Sequence, residues 1–203
     1  MSTLTFFKGA VSDVDAPDAE QEGHPVYVFK QENLALRSAM FRIRRIIENY
    51  EKPENADFRD DLLRGLKFQM GLLGQFDNHY KRKEELFFPL MEQHGHDAPP
   101  RVMWGVDDEI RDQLRRLAKN PVMDTDWKEA YLNTIQRAQE MIYKENNILF
   151  PLCAQHFTKE EWVQIYKDSF GYEPCLMDAV PVWEKVSLNQ AEMKVQDQEV
   201  VFP

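Results

Sequence analysis

The sequence predicts an all-α protein, an up-down-up-down four-helix bundle with a short fifth helix and extended tails. Three observations predict it. Apolar residues recur three and four residues apart along four long stretches, the spacing of a helix face turned to a core. Only eight of the 203 residues are glycine, and β-branched runs are scarce. Three breaker stretches divide the chain at bundle-like lengths: Lys52-Pro53-Glu54-Asn55, Gly95-His96-Asp97-Ala98-Pro99-Pro100 and Lys119-Asn120-Pro121-Val122. Short connections of this kind join antiparallel neighbours.

Residues 1–22 form a polar, acidic N-terminal tail, and 23–156 form the bundle. The first helix opens at Pro25, after His24, and its seam reads Phe29, Asn33, Leu36, Met40, Ile43, Ile47. The second seam reads Leu66, Met70, Leu73, Asp77, Tyr80, Glu84, Phe87, Met91, His94, and the third Met103, Asp107, Ile110, Leu114, Leu117. The fourth reads Ile135, Ala138, Ile142, Glu145, Leu149, Leu152, His156. Thr158-Lys159-Glu160-Glu161 is a capping box that starts the short helix within 157–173. Residues 174–203, with Pro181 and Pro203, lack helical period; they are expected to wrap the core or to meet another copy.

Composition narrows the function. Thirty-five acids against 25 bases give a formal charge of −10, which argues against nucleic acid or an anionic membrane surface as the main partner. No apolar run reaches the roughly 18 residues of a membrane span, and no signal-like N-terminus is present. Two cysteines, Cys153 and Cys175, make neither a disulfide framework nor a four-cysteine zinc site. The expected location is the cytoplasm.

Every seam contains a polar interruption. Glu84, Asp107 and Glu145 come from three different helices and face one interior. Ionised carboxylates gathered in an apolar core repel one another unless a cation lies among them. His79 sits on the edge of the second helix's apolar face. An imidazole with several carboxylates inside a bundle suits iron or manganese better than zinc. Counting from the hairpin at Pro53, His24 and Lys83 are each about 30 residues away, and at about 1.5 Å per residue they stand level. His24 is then a cap residue leaning over the bundle mouth, while Glu32 and Asn33 lie a little over 12 Å lower by the same rise, which weakens them as direct ligands and leaves Glu32, with Asp108, Glu109 and His94, as an open candidate. The metal set read from the sequence is therefore His24, His79, Glu84, Asp107 and Glu145.

Four stretches carry a family resemblance: Gly23-His24-Pro25 with Glu32-Asn33; His79-Tyr80-Lys81-Arg82-Lys83-Glu84-Glu85-Leu86-Phe87-Phe88-Pro89; Pro99-Pro100-Arg101-Val102-Met103-Trp104-Gly105-Val106-Asp107-Asp108-Glu109-Ile110; and Lys144-Glu145-Asn146-Asn147-Ile148-Leu149-Phe150-Pro151. Over about residues 23–155 the chain resembles the hemerythrin-like HHE cation-binding family, most closely the bacterial subgroup found with DUF438 and PAS segments. The repeated Phe-Pro ending resembles that family's internal duplication. The resemblance implies a four-helix bundle holding a non-haem iron pair, used to sense or bind O2, NO or peroxide, or to handle iron. Three positions depart from the family pattern. Lys83 stands four residues after His79 where a glutamate is usual, Met141 stands where helix four usually carries histidine, and Asp107 stands where helix three does. A lysine ammonium inside the site would take the place of one metal.

Plainer readings accompany these. His24 alone is a helix cap; His94 and His96 flank Gly95 at a helix end, where the dipole favours histidine. His156 and Glu160 read as surface residues. Trp104, Phe87 and Met91 read as core, the two cysteines as unrelated buried thiols, and Asp107-Asp108-Glu109 as solvated acid near a helix start.

Three functions follow. The first is a non-haem iron protein that binds a small oxidant or diatomic ligand. The second is a haem-binding or haem-sensing bundle with His24 or His79 as axial ligand, another divalent metal being a variant of the first. The third is a signalling or structural module with a degenerate site in which Lys83 neutralises the acids. Nothing argues for a specific enzymatic reaction: there is no Glu-x-x-His motif, phosphate loop or nucleophile–base pair. The chain carries no PAS segment up to Pro203, so output is expected through a homodimer or a separate signalling partner, or the chain is one piece of a longer protein.

Overall fold

The computed structural model describes residues 17–186, and the regular structure among them is helical. Helix α1 (Pro25–Glu51) forms the first arm. The second arm is α2 (Arg59–Leu73), α3 (Phe76–Arg82), a π-helical turn at Lys83–Phe87 and α4 (Phe88–Gln93). The third arm is α5 (Ala98–Lys119). The fourth is α6 (Thr125–Lys144), a second π turn at Glu145–Leu149, and α7 (Phe150–His156). Helix α8 (Lys159–Ser169) follows, and residues 174–186 cross one end of the bundle. Residues 1–16 of the expected N-terminal tail and 187–203 of the expected C-terminal segment lie outside the described residues.

Local chemistry explains the ends. His24 caps α1 by accepting the Val26 N–H on Nδ1 at 3.1 Å, and Pro25 takes the first helical position, where an N–H has no helical partner anyway. Asp124 accepts the Trp127 N–H at 2.8 Å to start α6. Thr158 and Glu161 close the capping box on α8 as the sequence predicts.

The second and fourth arms are not the unbroken helices the periodicity predicts. Pro89 and Pro151 fall inside them, where each lacks an N–H and its ring crowds the carbonyl four residues back. Each arm answers with a π turn that widens the helix just before the proline. The second arm also turns at Gly74–Gln75, between α2 and α3.

The seams meet in one core. Phe29, Phe87 and Phe150 pack with ring centroids 4.9 to 6.0 Å apart, joined by Leu36, Met40, Ile43, Leu66, Met70, Ile110 and Ile142. Fully burying each such side chain contributes about 1.5–3 kcal/mol. One residue read as core is not buried: Trp104, which stands beside the third seam and not on it, is 45% exposed and lays its ring against Phe88 from outside. Asp77, also read into a seam, turns to the bundle's flank and pairs with Arg111 and Arg115.

Candidate functional site

At mid-height the four arms turn charged side chains inward. Glu32, Asn33, His79, Arg82, Lys83, Asp107 and Glu145 are all buried, none exposing more than 1% of its surface. Lys83 Nζ donates to Glu145 Oε1 at 2.6 Å and to Asp107 at 2.9 Å. The two ring nitrogens of His79 lie 2.7 Å from Glu32 Oε2 and 2.8 Å from Glu145 Oε2. Arg82 donates to both oxygens of Glu32 and lies over the Phe29 ring. Asn33 donates to Glu145 Oε2 at 2.9 Å, and Lys83 lies 4.4 Å over the Tyr80 ring.

Carboxylates accept and cannot donate, so an imidazole flanked by two of them donates from both nitrogens and is the imidazolium. Burial works against that charge, and Glu145 and Glu32 outweigh it, so the His79 pKa lies above the ordinary range. Burial likewise opposes the charge on Lys83, yet Asp107 and Glu145 raise its pKa. Burial opposes the Glu145 carboxylate too, and Lys83 and His79 overcome it and hold its pKa well below the usual range. Asp107 goes the other way: burial pushes its carboxyl up to about 7, against the pull of Lys83 and with the push of Glu145. With Asp107 ionised, three anions (Glu32, Asp107, Glu145) face three cations (His79, Arg82, Lys83).

The residues predicted as a metal set separate accordingly. His79, Asp107 and Glu145 come together, with the Lys83 ammonium between the two acids. Glu84 is buried as well but stands apart from that pair, accepting from Arg111 at 2.7 Å. His24 lies elsewhere, fully buried between Trp162 and Trp183 at ring-centroid distances of 4.6 and 4.8 Å.

The height count from Pro53 needs correcting. Glu32 and Asn33, expected a little over 12 Å below the site, stand in it, and His24 stands about eight residues, or about 12 Å, beyond it along α1. The reason is the Pro53–Phe58 3-10 helix, which bridges α1 and α2 instead of climbing the second arm. Without those six residues, Glu32 and His79 are nearly equidistant from the hairpin.

Arg82 and Arg111 were also missed. Arg82 lies three residues after His79, one turn along the same face, a signal the sequence does carry.

A divalent metal does not fit this arrangement. Both His79 nitrogens are spent on carboxylates, and the acids that would ligate are already neutralised by Lys83 and Arg82. Among the described residues no group of three or more His, Cys, Asp or Glu side chains is placed to hold a metal ion. For haem, neither candidate axial histidine offers a free nitrogen beside open space: His79 uses both, and His24 is wedged between two indoles with its Nδ1 capping α1.

The C-terminal segment is tied to the same network. The Cys175 N–H donates to Glu32 Oε1 at 3.3 Å, and the Leu176 N–H donates to Gln75 Oε1 at 2.7 Å. Trp183 covers His24 and donates its backbone N–H to the Tyr166 hydroxyl. Gly23, at φ +84°, permits the approach: a Cβ there would stand 2.4 Å from Trp183 N and Val182 C.

Residues 24–153 match the model of the hemerythrin HHE cation-binding domain family. No curated protein matches the chain. Among the described residues no helix is long and apolar enough to cross a membrane.

Proposed function

The chain belongs to the hemerythrin HHE cation-binding family, and from that premise we propose that it acts as a signalling or structural module whose central site is closed by its own lysine. The observation that carries this reading is the fully buried Lys83 ammonium held between Asp107 and Glu145. It occupies the electropositive position that converging carboxylates require. His79, as the imidazolium, supports Glu145 from the other side. The 174–186 segment is tied to the same site, which it reaches through the Cys175 N–H on Glu32.

The finer iron reading, with His24, His79, Glu84, Asp107 and Glu145 as ligands and O2, NO or peroxide as the ligand sensed, requires Lys83 to withdraw and His79 to lose a proton. Metal analysis separates the two. Protein purified without chelator is expected to hold no stoichiometric iron, manganese or zinc, and Fe(II), Mn(II) or Zn(II) is expected to leave its thermal midpoint unchanged. A ligand bound only by the folded state raises that midpoint by mass action. Lys83→Ala is expected to lower the midpoint and to recover part of it when Mn(II) or Zn(II) is added. One or more irons per wild-type chain, lost in His79→Ala, would overturn the proposal and restore the iron reading.

A further inference from the structure

Helices α1 and α6 carry a second, outward stripe beside their buried seams. On α1 it runs Leu34, Arg37, Phe41, Arg44, Glu48, Glu51, alternating three and four residues apart like a coiled-coil seam. Yet Leu34 is 56% and Phe41 59% exposed. On α6, Leu132 and Tyr143 lie on the facing stripe at 50% and 58% exposure. The two helices pack less closely on each other than α1 does on α2, which leaves a groove of about 550 Å³ floored by Met40, Tyr131 and Ile135. A second groove of about 320 Å³, bordered by Ile47 and Leu132, continues it toward the Glu51 end. Exposed apolar surface at regular helical spacing beside a groove marks an interface more often than a solvated face.

The charges identify the occupant. Along α1 the stripe is basic at Arg37 and Arg44 and acidic at Glu48 and Glu51. Its midpoint falls between Phe41 and Arg44. A two-fold axis there, perpendicular to the helix, sets α1 antiparallel to its copy. Arg37 then meets the partner subunit's Glu48, Phe41 meets the partner subunit's Arg44, and Leu34 meets the partner subunit's Glu51. Each contact occurs twice, as an isologous interface requires. Arg37 makes no ion pair within its own chain among the described residues, and Arg44–Glu48 is an exposed pair at 3.2 Å that can exchange partners.

We infer that a second copy of this chain docks on the α1–α6 groove, with the two α1 helices antiparallel and Phe41 at the centre. The inference is independent of what the buried site does. Sedimentation velocity over a concentration series, on the whole chain, tests it. The wild type is expected to be a dimer at micromolar concentration. Phe41→Glu is expected to raise the dissociation constant by about tenfold or more, the scale of a central hot spot, with helical content unchanged by circular dichroism. Arg37→Glu is expected to weaken the dimer, and adding Glu48→Arg to restore it. A wild type that stays monomeric, a dimer indifferent to Phe41→Glu, or a charge-reversed pair that fails to recover would each overturn the inference.

Discussion

Replacing Lys83 with methionine keeps most of the side chain's volume and removes its charge, so the change isolates the ammonium. In the wild type that ammonium is fully buried, 2.6 Å from Glu145 and 2.9 Å from Asp107. Removing one partner of a buried pair leaves an uncompensated charge and costs about 3–5 kcal/mol. At about 2–4 °C per kcal/mol for a chain of this size, the thermal midpoint should fall by roughly 6–20 °C. The loss should also depend on pH in a definite direction. Lys83 pulls the Asp107 pKa down against burial, and the result is about 7. Without Lys83 that carboxyl titrates higher still. A group whose folded pKa is raised loses its contribution to stability as pH rises toward that pKa. The variant therefore keeps losing stability above pH 7, by up to about 1.4 kcal/mol per pH unit, where the wild type has levelled off. Urea denaturation at pH 6, 7 and 8 measures this, and the gap between the proteins should widen from pH 6 to 8. A gap below 1 kcal/mol, or one that narrows as pH rises, would refute the charge-closure argument.

Three further outcomes follow from the same geometry. In the wild type, the contribution of Asp107 falls as pH rises from its ordinary 3.8 toward about 7, because the folded state holds the proton longer; Asp107→Asn should remove a slope worth roughly 4 kcal/mol across that window, and an unchanged urea-derived pH profile would contradict this. Gly23→Ala forces a left-handed backbone and a 2.4 Å approach to Trp183 and Val182, so about 2–4 kcal/mol of lost stability is expected, with a change in tryptophan emission as Trp183 leaves His24; emission that stays unchanged would place the 174–186 segment elsewhere. Cys175 is fully buried beside Glu32, and burial pushes its thiol pKa up, so in a Cys153→Ser background it should resist alkylation; Glu32→Gln should speed its labelling several-fold if the network holds the segment, and equal rates would show that it does not.

The four seams were legible because a buried helix face imposes its three-and-four spacing on the sequence. Asp107 and Glu145 stood out as acids in that spacing, and Lys83 stood out against the family pattern. Glu32 falls below the site only on a height count in which every residue after Pro53 climbs the second arm. Six of them form the crossing 3-10 helix and add no useful height. Trp104 reads as core by residue type alone, since its position is off the third seam. It follows Met103 directly, so with Met103 turned to the core the next side chain stands about 100° around α5, and an indole is large enough to cover Phe88 from there while remaining half in solvent. The 174–186 segment has no period to read, because its contacts are single backbone N–H groups meeting Glu32, Gln75 and Tyr166.

The two π turns show why the site takes this form. Lys83 opens one, six residues before Pro89, and Glu145 opens the other, six residues before Pro151. They occupy equivalent places in the duplicated arms, and His79 is matched in the same register by Met141. Each proline imposes a widened turn, and each turn aims its first side chain into the bundle. Had both places carried acids, their repulsion across the centre would have called for an outside cation. Here one half supplies the ammonium and the other the carboxylate, 2.6 Å apart. With Met141 in place of a second imidazole, the fourth arm adds no further donor at that level. The opposite charges of two equivalent positions therefore neutralise the centre from within, while the backbone that positions them keeps its two-fold repeat.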